Sequence, residues 1–68
     1  MTRIEQLELA VGVLLEQVSQ EVPSNPRMMP EWFIACAQVE ANQADMTTNE
    51  ILKRAHATAV SRIKARRA

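Results

Sequence analysis

Three prolines within eight positions, Pro23, Pro26 and Pro30, constrain this chain more than any other feature. Proline has no backbone donor, its ring clashes with the preceding turn, and it pushes the residue before it toward extended backbone. The stretch Pro-Ser-Asn-Pro-Arg-Met-Met-Pro at 23–30 therefore cannot lie inside a helix and reads as the chain's linker. The sequence on either side favours helix. It has one glycine, no tyrosine, one phenylalanine and ten alanines. Alanine and straight-chain residues are the best helix formers, while strand-favouring residues are sparse or fall at helical spacing.

A first helix is expected from Thr2 to about Val22. Thr2 and Glu5 have the spacing of a capping box, in which the hydroxyl accepts from the amide three residues on. Ile4, Leu7, Val11, Leu14 and Val18 then recur at alternating steps of three and four, a heptad seam widened by Leu15 and Val22. Leu9 and Val13 form a second, smaller stripe, so the helix is expected to have two neighbours. Gly12 costs a helix interior about 1 kcal/mol relative to alanine. It either permits a close helix approach or is merely tolerated.

A second helix is expected over about 30–45, with Pro30 at its first turn and Glu31 near its positive end. Trp32, Cys36 and Val39 make one stripe, and Phe33, Ala37 and Ala44 a neighbouring one. Thr47 and Glu50 repeat the capping-box spacing and start a third helix over about 48–66. Leu52, Ala55, Ala59 and Ile63 share one of its faces, with Ile51 and Val60 beside it. The alternative is a single bent helix through Thr47. The fold class is thus all-α, a small bundle of two or three helices in one domain, 1–68, completed by homodimerisation.

The need for company follows from size. A chain of 68 residues buries only about 60% of its unfolded surface. Disulfides, a metal or a second subunit usually supplement so thin a core. The single cysteine, Cys36, cannot close an internal disulfide, and Cys36 with His56 cannot complete a four-ligand zinc site. No cofactor or metal is expected. The longest apolar run, Leu9 to Leu15, is short of the roughly twenty residues of a membrane span. Glu5, Glu8 and Glu16 interrupt any secretory h-region. With its free thiol, the chain is expected in the reducing cytoplasm.

Charge sums to zero but is lopsided. Residues 1–50 hold all eight acids and two of the eight bases, a net of −6, and residues 51–68 hold the other six bases. Arg54, Arg62, Lys64, Arg66 and Arg67 on the last helix could contact phosphates. No aromatic is interleaved for base stacking, and the acidic first helix can neutralise them. Glu5, Glu8, Glu16 and Glu21 read as a solvated face. Ala55 to Ile63 has some look of a helix-turn-helix recognition half, but lacks the tight turn that motif requires.

Met28, Met29, Trp32 and Phe33 are of the residue types that anchor protein interfaces, although so small a protein also needs its aromatics for its own core. Cys36, among apolar neighbours, reads as buried and inert, and His56 as a surface or interface histidine. No nucleophile, phosphate loop or metal series stands in the chain, so no catalytic residue is nominated. The chain also looks too small to enclose a pocket of about 300 Å³. The expected function is a homodimeric, non-enzymatic protein that binds a protein partner and modulates its activity or assembly, as an inhibitor, anti-activator or adaptor would. The seam Ile4, Leu7, Val11, Leu14 and Val18 would supply core and self-association. A nucleic-acid-binding regulator and a structural or assembly subunit are the alternatives.

Overall fold

The structure is a computed structural model and describes residues 2–18 and 22–67. It contains three α-helices, α1 (Arg3–Val18), α2 (Glu31–Ala44) and α3 (Thr48–Arg67), with a 3-10 turn at Pro26–Met28. The ends follow from local chemistry. Thr2 Oγ1 accepts from the Glu5 amide at 3.1 Å, and Thr47 Oγ1 from the Glu50 amide at 3.3 Å. Both satisfy helix-start donors that would otherwise lack partners. The expected helix to Val22 is shorter as described: Val22 is non-helical. It precedes Pro23, which disfavours helical backbone there. Glu21 lies outside the described residues.

In the linker, the Asn25 side chain accepts from the Arg27 amide at 3.0 Å and caps the 3-10 turn. Pro30 stands just outside α2 as its N-cap. At the other end Asp45 adopts the left-handed conformation (φ 56°), and the Met46 amide bonds back to Ala41 O at 3.1 Å. Aspartate is among the few residues that tolerate this backbone. The chain therefore breaks between α2 and α3, and the single bent helix does not occur.

The helices run up, down and up. Glu8 pairs with Arg54 and Glu16 with Arg62 at the same sequence offset of 46, which makes α1 and α3 parallel. Arg3 near the start of α1 pairs with Glu40 near the end of α2, so α2 is antiparallel to both. The core is formed by Val11 and Leu15 of α1, Met29, Phe33, Ala37 and Ala41, and Ile51, Leu52, Ala55 and Ala59 of α3. Phe33, Leu15 and Ile51 are its largest fully buried side chains, each contributing about 1.5–3 kcal/mol of burial. Ala44 is exposed and Ala41 takes its expected inward place.

Gly12 decides how closely α1 meets α3. A Cβ built there would lie 3.0 Å from the Ala55 carbonyl oxygen and 3.0 Å from Thr58 Cβ and Cγ2. With Ala55 and Ala59 opposite, the absent side chain lets two backbones approach, which is the stronger of the two roles open to this glycine.

Candidate protein-binding face

The two sides of α1 are built differently. Toward α3 the contact is charged and closed. The Glu16 side chain is only 1% exposed and is held by two arginines: Arg62 Nε donates to Oε2 at 2.6 Å, and Arg66 Nη2 pairs with Oε1. About two turns below, Arg54 Nη1 pairs with Glu8 Oε1 at 3.2 Å. The reading of these acids as solvated is therefore corrected for Glu8, which is mostly covered and paired, and for Glu16. The parallel register of α1 on α3 buries Glu16 under the arginine pair, and buried charge requires such partners.

Three of the five expected phosphate-binding residues, Arg54, Arg62 and Arg66, thus have carboxylates of the same chain as partners. Lys64 and Arg67 are exposed on α3. The segment Ala55 to Ile63 lies within the unbroken helix Thr48–Arg67, so the helix-turn-helix likeness has no turn to support it. A cleft of about 780 Å³ opens between the ends of α1 and α3, lined by Val18, Ile63, Arg66 and Arg67 among others. It exceeds the volume expected for so small a chain, but it is open, and its Glu16 carboxylate is already occupied. His56 is half-buried and donates from Nε2 to the Pro23 carbonyl, tying the linker to α3.

Toward α2 the surface is apolar and open. Leu14 is 37% exposed, Val18 66%, Met28 71%, Trp32 52% and Val39 56%. Helical spacing places Leu14 and Trp32 on the flanks of α1 and α2 that carry the Arg3–Glu40 pair. From Arg3 at the α1–α2 seam, steps of four and three along α1 reach Leu7, Ala10 and Leu14. From its partner Glu40, steps of four back along α2 reach Cys36 and Trp32. Of the expected seam, Val11 enters the core, Ile4 and Leu7 pack at its edge, and Leu14 and Val18 remain outside.

The expected anchors divide in the same way. Met29 and Phe33 are core residues, 3% and 1% exposed, and Met28 and Trp32 point outward. The Trp32 ring stacks on Phe33 with centroids 3.8 Å apart, so the exposed indole rests on a fixed base. Cys36 is exposed, which corrects the expectation of burial. The inward stripe of α2 is Phe33, Ala37 and Ala41, and the stripe Trp32, Cys36 and Val39 faces out. Leu9 is exposed on the other flank of α1. Among the described residues no helix is long and apolar enough to cross a membrane, and no group of three His, Cys, Asp or Glu could hold a metal ion.

The sequence held the signal for this face in two pieces, the outer half of a seam and an aromatic-methionine pair. Only the antiparallel register of α1 and α2 joins them. No family model, curated protein or solved structure matches this chain.

Proposed function

We propose that this is a non-catalytic binding module of the cytoplasm that docks a protein partner through the α1–α2 face and modulates that partner's activity or assembly. The half-exposed Trp32, stacked on a buried Phe33, with Met28, Leu14 and Val39 also left exposed, carries the reading. Tryptophan is the residue type most enriched where interfaces draw their affinity. Its ring is held in place before docking, which lowers the ordering cost of association. Monomers rarely leave an apolar patch larger than a few hundred Å² without a use for it. The intrachain pairing of Arg54, Arg62 and Arg66 disfavours the nucleic-acid reading, because bound phosphate would have to displace Glu8 and Glu16.

The test is affinity capture from the native source with the natural chain, with Trp32→Asp and with Val39→Glu. A protein retained by the natural chain and lost with both variants is the expected result. That protein, once purified, should change its activity or assembly state on addition of the chain. Retention of nucleic acid alone, or capture indifferent to both substitutions, would overturn the proposal.

A further inference from the structure

We infer that in the free protein the α1–α2 face is covered by a second copy of the same chain, packed antiparallel along α2. This rests on the protein-binding reading above and names the occupant that an arriving partner must displace. The first argument is charge. In a two-fold interface the same patch is used on both subunits, so a self-docking face tolerates few unpaired charges. Between its ends this face carries none: Leu7, Ala10, Leu14, Met28, Trp32, Ala35, Cys36 and Val39 are all neutral. Its charges stand at its ends: exposed Arg27 and Glu31 beside Met28 and Trp32 at one, and at the other Arg3 and Glu40, which pair with each other. An antiparallel arrangement sends the two copies of that pair to opposite ends of the interface. A face built to draw in a charged partner would carry the complementary sign itself.

The second argument is relief. Large Met28 and Trp32 stand at one end of the stripe, small Ala35 and Cys36 in its middle, and Val39 beyond. An antiparallel pairing centred at the level of Ile34 sets Trp32 of one copy over Cys36 of the other. The same pairing sets Met28 over Val39. Each bulky side chain then meets a small or matching one, as packing at an interface core requires.

The third argument is area. The chain exposes 4665 Å², whereas size scaling for compact monomers gives about 4300 Å² at this mass. A stable interface takes about 800 Å² from each partner, roughly a sixth of this surface. Five of the six large apolar side chains left exposed, Leu14, Val18, Met28, Trp32 and Val39, stand on α2, on the linker before it or on the upper half of α1.

One tryptophan and one cysteine make the test direct. Sedimentation velocity from low to high micromolar concentration is read beside the rate at which a disulfide reagent titrates Cys36. A species of twice the chain mass is expected, with Cys36 reacting more slowly as concentration rises because Trp32 of the second copy covers it. Trp32→Asp and Val39→Glu should each weaken the dimer roughly thirtyfold or more and restore fast thiol reaction, with helical circular dichroism unchanged. Val39 lies outside the core, so its variant keeps the test valid if Trp32→Asp disturbs Phe33.

A monomer at every concentration with Cys36 always reactive overturns the inference, and so does a dimer indifferent to both substitutions. A monomer that still captures a protein through Trp32 overturns self-association and leaves the binding module standing. A dimer that captures nothing does the reverse.

Discussion

One helix, α1, meets its two neighbours by opposite means. Against α3 it offers Glu8, Gly12 and Glu16, and the contact closes through ion pairs and a bare backbone. Against α2 it offers Ile4, Leu7 and Val11, and beyond them Leu14 and Val18, which stay uncovered. The closed side uses polar and small residues, and the open side uses apolar ones. The apolar core still takes Val11 and Leu15 from this helix, so apolar side chains stand both inside and outside. A short chain can cover only part of its apolar surface, and here the register of three helices determines which part that is.

The largest expected effect sets neighbouring residues on the two sides of that division. Phe33→Ala removes a ring that is 1% exposed and should cost about 3–5 kcal/mol. The whole chain is expected to have only about 3–10 kcal/mol of stability at 0.05–0.15 kcal/mol per residue. That variant should be largely unfolded by circular dichroism at room temperature. Trp32→Ala, one position earlier, should leave the isolated fold within about 1 kcal/mol in urea titrations. An equal loss at both positions would mean that Trp32 belongs to the core and that the face is not free.

Next in size is the closed side. Arg62→Ala with Arg66→Ala leaves the Glu16 carboxylate inside the protein without the two cations that hold it. Removing the partners of a buried charge costs about 3–5 kcal/mol in well-enclosed pairs. The expected loss here is at the low end, about 3 kcal/mol, because both arginines are themselves half-exposed and the carboxylate has a short path to water. The converse change, Glu16→Gln, should cost less, since the freed guanidinium groups are simply hydrated. Comparing urea midpoints of the two variants checks the order. If Glu16→Gln is the more damaging, the seam is held by its acid alone and the arginines are surface decoration.

How much of this could be read in the residues varies by level. Both threonine caps, the proline linker and all three helices were legible, because each depends on neighbours within four positions. The inward face of α3 was legible too, since Leu52, Ala55 and Ala59 are buried with Ile51 beside them, but the orientations of α1 and α2 were not. In α1 the heptad spacing selected Leu14 and Val18 as inward, yet Leu15 and Glu16 are buried instead, a rotation of about one residue. The spacing could not reveal this, because Gly12 sets the contact with α3 and a glycine carries no hydrophobic signal. In α2 two stripes of similar hydrophobicity competed. The one with the smaller residues, Ala37 and Ala41, faces inward, since close packing of three short helices favours small side chains over Trp32 and Val39. The binding face combines both of these misread orientations.

The smallest expected effect tests the contact that caused the rotation. Gly12→Ala adds one methyl in a helix interior, which by propensity alone should stabilise by about 1 kcal/mol. The new carbon would stand 3.0 Å from the Ala55 carbonyl oxygen and from two carbons of Thr58. The carbonyl belongs to the α3 backbone and cannot rotate away, so α1 must move off α3, and overpacking of this kind costs about 1–3 kcal/mol. The net expectation is a loss of about 1 kcal/mol, opposite in sign to the propensity, visible as a lower urea midpoint. Thr58→Ala in the same background removes the contacted Cγ2, and because Ala55 O remains, it should recover only part of that loss. A gain in stability from Gly12→Ala would show that the two helices have slack between them. In that case α1 is free to turn, and the exposure of Leu14 and Val18 is no longer fixed by packing.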